Sequence, residues 1–335
     1  MSGPIAVTGA TGFLGSHICD LLLDAGHQVR AAHRETSDLR WLSGKPLELV
    51  ATDLDDPASV DRLLAGCTGV VHCAGVVMAP DEIYRRVNVD GTRAVVEAAA
   101  RAGTVETVVH VSSLAAGGPA SLDDPRDETH EDRPLTAYGR SKRDAEDLVG
   151  GERPFRAVIL RPPSLYGPRD REFLPLLKAA YRGWTARFGD TMTGLSLVHG
   201  RDAAAAAVAL LETPGATGVY HLDDGPGLDG PRAPGRRYAW GYDWDELRDV
   251  LCTLFDRTVN RLTIPLGLLR LASRLAGPAR ERSPVLHPDR IRDLDTVGWV
   301  CSAARLRRDT AWQPQFDLAT GLRDTLASYR RRGWM

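Results

Sequence analysis

The sequence predicts an α/β fold in which a doubly wound parallel sheet, covered by helices on both faces, is followed by a smaller α+β lobe. Three observations carry that prediction. Short apolar runs alternate with helical patterns through the first half of the chain, the rhythm of strand-helix-strand units. The stretch Thr8-Gly9-Ala10-Thr11-Gly12-Phe13-Leu14-Gly15 follows the apolar run Ile5-Ala6-Val7 with glycines at three-residue spacing, which reads as strand, tight turn and helix. After Gly167 the rhythm loosens into shorter elements.

Taken in order, strands are expected at 5–8, 28–32, 47–51, 69–73, 107–112 and 156–160, with helices at 13–24, 57–65, 83–102 and 137–150. Beyond them come strands at 195–198 and 218–222 and helices at 173–182, 202–211 and 243–255. Residues 223–241, DDGPGLDGPRAPGRRYAWG, have the composition of a long surface loop, either a substrate lid or a disordered insertion. The run 264–277 is read as a helix packed on the lobe; its interruption by Arg270 and Arg274 leaves an interfacial helix as the alternative. Tyr329-Arg330-Arg331-Arg332 reads as a solvated helix end.

The 335 residues allow two domains at a prior of about 150 each, and the organisation expected is a nucleotide-binding domain over 1–167 with a substrate-binding lobe over 168–335. With 43% apolar and 26% charged residues and a net charge of -2, nothing points to nucleic acid or an anionic membrane. Five scattered cysteines form no CxxC pair, and nine histidines show no ligand spacing, so neither a disulfide framework nor a metal site is expected. No uncharged apolar run reaches the roughly 18 residues of a membrane span, and a cytoplasmic location is expected.

The candidate chemistry follows the strands, where ligands sit in such sheets. Gly9, Thr11, Gly12, Phe13, Leu14 and Gly15 would cradle a pyrophosphate at a helix N-terminus. Arg34 lies 19 residues after Gly15, at the end of the second strand, where an arginine accommodates the 2′-phosphate of NADP and an acid would accept the ribose hydroxyls of NAD; NADP(H) is therefore expected over NAD(H), although Glu35 is adjacent. Asp53 and Leu54 would hold the adenine, with a plain turn aspartate as the alternative. Small Ala74 and Gly75 after Cys73 let a cofactor approach the backbone, and Asn88 either bonds backbone or orients the site. Ser112 and Ser113 close the fifth strand. Tyr138 and Lys142, four apart on a helix, share one face. A free phenol has a pKa of about 10, and a neighbouring ammonium would lower it, making Tyr138 a usable acid or base with Ser113 holding the substrate oxygen.

With these residues in place the chain resembles the extended short-chain dehydrogenase/reductase superfamily, of the NAD(P)-dependent epimerase/dehydratase type. TGATGFLG is similar to the family's TGxxGFxG turn and Asn88 to that of its NVxGT helix. Ser113, Tyr138 and Lys142 resemble its catalytic triad, and Leu160 to Pro168 its LRPxxxYGP segment, which implies that Pro162 and Ser164 lie beside the nicotinamide. Ser196 to Asp202 resembles its VHVDD run, with Gly200-Arg201 as a departure. The resemblance implies a Rossmann domain with a C-terminal substrate lobe, Lys142 also bonding the nicotinamide ribose, and a homodimer packed through the helices at 83–102 and 137–150. Ser164 stands where nucleotide-sugar enzymes carry asparagine, and Leu114-Ala115 where sugar dehydratases carry an Asp-Glu pair. The pattern is closer to the dihydroflavonol reductase and 3β-hydroxysteroid dehydrogenase branch. The activity this implies is reversible hydride transfer between NADP(H) and a ketone or secondary alcohol on a small, largely apolar substrate. Two alternatives stay open: an epimerase or dehydratase that recycles its hydride internally, and a non-catalytic NADP-sensing protein.

Overall fold

Ile5-Ala6-Val7-Thr8 is buried along its whole length, as a strand covered on both faces must be, and this strand (β1, Ile5–Thr8) lies inside a seven-stranded sheet. The computed structural model describes residues 3–225, 237–277, 280, 283 and 285–335. On one side β1 pairs with β2 (Val29–His33), which carries β3 (Glu48–Ala51). On the other come β4 (Gly69–His72), β5 (Thr107–Val111) and β6 (Arg156–Arg161). The strand Gly218–His221 adds to β6, and every pairing in this sheet is parallel. The winding reverses between β3 and β4, so the switch point lies at the carboxyl ends of β1 and β4.

Strand side chains alternate between the two covers. Val7, Val71, Val109 and Val158 join the cluster beneath α1 (Phe13–Asp24) and the helix Gly200–Glu212. Ala6, Val70, Val108 and Ile159 join the opposite cluster with α2 (Pro57–Leu64) and the later helices of that layer. Those are α3 (Asp81–Tyr84), α4 (Gly91–Ala102), the short α5 (Leu114–Gly117) and α6 (Ala137–Val149). Each fully buried Val, Leu or Ile in these layers contributes about 1.5–3 kcal/mol.

In the lobe, the strand Ser164–Tyr166 pairs with Leu197–His199, Gly194–Leu195 lies between Tyr242–Asp243 and Gly298–Trp299, and Trp184–Phe188 pairs with Asn260–Ile264. Helices Leu174–Tyr181, Trp244–Phe255 and Leu318–Arg331 close round Tyr166, Leu247, Leu251 and Leu322.

Three expectations are corrected. The helix at 83–102 is not continuous: a π-helical turn, Arg85–Asp90, separates α3 from α4 and carries Asn88. The strand at 195–198 breaks at Ser196, whose hydroxyl donates to the Trp240 carbonyl at 2.5 Å and accepts from the Cys301 amide at 3.1 Å, so its two parts join different sheets. The C-terminal helix end is not wholly solvated, because Tyr329 is fully buried and packs on Trp334 while Arg332 lies over Trp41. Within the expected loop 223–241, residues 226–236 lie outside those described. At its start Asp223 is buried, paired with Arg307 at 2.8 Å and accepting from the Ala303 amide.

Candidate active site

The glycine turn is built by contacts that leave no room for side chains. Gly9 has φ of 65°, and a Cβ there would stand 2.8 Å from the Ala74 nitrogen. A Cβ on Gly15 would stand 2.2 Å from the Gly9 carbonyl oxygen. Gly12 caps α1 without a side chain, so the first-turn amides have no side-chain acceptor and face the switch point. Thr8 Oγ1 ties the neighbouring strand end in place, accepting from the amides of Cys73 and Ala74, each at 3.2 Å, and meeting His72 Nδ1 at 2.7 Å. Phe13 reaches across to the helix Gly200–Glu212. The departure noted at Gly200 has its cause here, since a Cβ on that residue would come within 2.4 Å of the Phe13 ring.

Arg34 leaves the end of β2 exposed to solvent, with its backbone amide on Ser37 Oγ and no carboxylate partner for its guanidinium among the described residues. Asp53 Oδ1 accepts the Asp55 amide at 3.0 Å, the turn role weighed for it, while its carboxylate stays exposed; Leu54 packs on Gly91. Cradle, free cation and exposed carboxylate all stand at the carboxyl edge of the sheet, and together they fit a dinucleotide.

Thr136 caps α6 by accepting the Gly139 amide, which sets Tyr138 and Lys142 in consecutive turns. Lys142 is almost fully buried, and its Nζ donates to the Val111 carbonyl at 2.8 Å, at the end of β5. Burial pulls its pKa down to about 8. Asn88 is fully buried; it accepts the Val76 amide and donates to the Val76 carbonyl and to Ser141 Oγ, binding the π-helical turn to α6. Ser113 caps α5, and its hydroxyl lies within hydrogen-bonding reach of the Tyr138 phenol. Pro162 receives the Leu114 amide, and Ser164 is exposed on the following strand.

The phenol differs from expectation. Burial raises the Tyr138 pKa to about 12, opposed by the hydrogen bond with Ser113. Tyr138 is therefore a held proton donor at neutral pH.

The sequence did not disclose how one group of residues is joined, nor that a second approaches Tyr138 at all. Behind the strand end, Ser112 donates to Glu146, Glu146 receives both Nε and Nη2 of Arg161 at 2.8 and 2.5 Å, and Arg161 continues to Asp132 at 2.6 and 2.7 Å. On the lobe side, the helix Pro288–Leu294 approaches Tyr138: Asp289 accepts its amide at 3.3 Å, and Asp293 and Glu172 raise its pKa further. Burial lifts Asp293 to about 7 and raises Glu172 as well. Pro288 at the first helical position of HPDRIRDL was the available signal.

The NAD dependent epimerase/dehydratase family model matches residues 5–222. The chain belongs to this family. As a member it is an NAD(P)-dependent enzyme of the extended short-chain dehydrogenase/reductase type with a Rossmann fold. It is 32% identical over 337 residues to ceramide reductase of Caulobacter vibrioides, covering 99% of this chain and 96% of that one. It is 31% identical over 349 residues to sterol demethylase protein B of Methylococcus capsulatus, covering 98% of each. A UDP-glucose 4-epimerase from Thermus thermophilus, solved with NAD, superposes with a TM-score of 0.75 at 22% identity over 98% of this chain and 99% of that one, which shows the shared fold. Among the described residues no helix is long and apolar enough to cross a membrane.

Proposed function

We propose that this family member is an NADP(H)-dependent ketone reductase, or secondary alcohol dehydrogenase in reverse, working through Ser113, Tyr138 and Lys142. The observation that supports the reading is a buried, protonated phenol hydrogen-bonded to the Ser113 hydroxyl, one helical turn before a buried lysine whose ammonium reaches the end of β5. Arg34, free of carboxylates among the described residues, supports NADP(H) over NAD(H). Gly9 to Gly15 would receive the pyrophosphate, Asp53 and Leu54 the adenosine, and Ala74, Gly75, Pro162 and Ser164 the nicotinamide end. When bound, the cofactor supplies the hydride. Ser113 holds the ketone oxygen toward Tyr138, and Tyr138 gives its proton to that oxygen as negative charge develops there. Lys142, held at the β5 end by the Val111 carbonyl, would bond the nicotinamide ribose, and Asn88 and the Ser112–Glu146–Arg161 chain keep α6 and the β5 end in register.

An apolar substrate is supported by the exposed Val77, Met78, Ile83 and Leu135 flanking Tyr84 and Tyr138, and by relatives named for ceramide and sterol. The outer faces of the π-helical turn, α4 and α6 form a groove of about 540 Å³ between Arg85, Arg93, Arg140 and Asp144, the surface through which a homodimer would form. The test is NADPH oxidation with long-chain ketone substrates. One alcohol should appear per NADPH consumed, and Tyr138→Phe should lower kcat by about 10²–10⁴-fold with NADPH affinity retained. Turnover without net NADPH consumption would establish internal hydride recycling, and unchanged turnover in Tyr138→Phe would remove the triad.

A further inference from the structure

The helix Leu266–Leu275 packs one apolar face and leaves a second one bare. Leu266, Leu269 and Ser273 are buried, meeting Ile291, Phe188, Ile264 and Leu294. Leu268, Leu271 and Leu275 are 59, 53 and 80% exposed. At about 100° per residue these three fall within roughly 60° of one another, on the side opposite the buried set. The preceding sheet continues the pattern. Asn260–Ile264 pairs in parallel with Trp184–Phe188, so Trp184 and Leu262 share the face on which Phe188 and Ile264 meet the helix, and they are 55 and 54% exposed. Single exposed leucines are ordinary; a stripe of three on one helix, next to an exposed tryptophan and leucine on the adjoining sheet, is not.

The charges on the helix that carries this stripe have one sign. Residues 257–277 contain Arg257, Arg261, Arg270 and Arg274 and no Asp or Glu. Asp245 pairs with Arg261 and Asp295 with Arg270. Arg274, on the helix itself, and Arg182, beside Trp184, have no carboxylate partner among the described residues. A chain with a net charge of -2 therefore carries a local basic, leucine-rich edge. A second copy fits this edge poorly, because a two-fold contact sets the same patch against itself, arginine facing arginine with no acid on the helix to accept either.

We propose that this face docks on an anionic lipid surface, with Leu268, Leu271 and Leu275 entering the boundary between headgroups and acyl chains and Arg274 lying among the acidic headgroups. The inference stands on the exposed face and not on the choice of ketone. The full-length protein is tested by flotation with phosphatidylcholine vesicles made with and without phosphatidylglycerol, empty of substrate. It should float with the anionic vesicles only, and should be released as salt rises from about 0.1 to about 1 M, where the Debye length falls from ~10 to ~3 Å. Leu271→Glu combined with Leu275→Glu should lower the bound fraction at least about tenfold, and Arg274→Glu should lower it less. NADPH binding, measured by fluorescence, should be unchanged in both variants, since none of these residues touches the nucleotide half. Failure of the parent to float, or equal flotation of the leucine variant, would overturn the proposal. So would a leucine variant whose molar mass by light scattering falls to half, which would make the face a contact between copies.

Discussion

Gly15 and Asp293 are held in opposite ways, and the contrast divides the molecule. Gly15 has its place through backbone alone, its Cα pressed against the Gly9 carbonyl at the end of β1, in a turn that admits no side chain. Asp293 belongs to a seven-residue helix, Pro288–Leu294, whose approach to Tyr138 rests on side chains: one carboxylate accepting an amide, and a second carboxyl pushed to about 7 by burial. A nucleotide site made from backbone tolerates little change. A wall made from side chains can be altered one residue at a time.

The first way to break this contrast is to cut the ionic support that ties α6, the helix of Tyr138, to β6. Arg161→Ala leaves Glu146, 2% exposed, without its cation, and should lower unfolding free energy by about 3–5 kcal/mol in a urea titration. Loss of less than about 1 kcal/mol would mean the chain from Ser112 to Asp132 is not structural. Next, Gly15→Ala should abolish measurable NADPH binding in calorimetry and lower stability by about 1–3 kcal/mol, since the methyl and the Gly9 oxygen cannot coexist at 2.2 Å. Arg34→Gln sharpens the cofactor assignment. It should weaken NADPH by about 10–100-fold, the loss of one charge-assisted phosphate contact, while leaving NADH unchanged.

The smallest effect is a pH limb. Burial lowers Lys142 to about 8, so the ammonium is present below that pH and lost above it; kcat/KM should fall as pH rises through about 8. Lys142→Arg should remove that limb. Stability moves the other way: the unfolded chain holds the proton up to 10.5, binds more protons than the fold between about 8 and 10.5, and so this group's contribution rises with pH across that window.

The same division governs what the sequence disclosed. Strands β1 to β6 were legible to within a residue or so, because a buried parallel strand is a short apolar run and cannot be much else. The glycine turn and the shared helix of Tyr138 and Lys142 were legible because their spacing is local. Glu146, Arg161 and Asp132 were ordinary charged residues until the fold brought β6 against α6. The π-helical turn at Arg85–Asp90 has no period of its own to betray it within a helical run, and Tyr329 looked solvated because three arginines follow it. The pKa of Tyr138 ran opposite to expectation because four-residue spacing fixes a shared face but not how deeply the phenol is buried.

The most direct test of the account uses NADPH carrying deuterium at its transferable position, each epimer in turn, with a ketone that the enzyme turns over. The account predicts that one epimer delivers its deuterium to the carbinol carbon of a released alcohol, one label per NADP⁺ formed. Product free of label with the cofactor unchanged would contradict it.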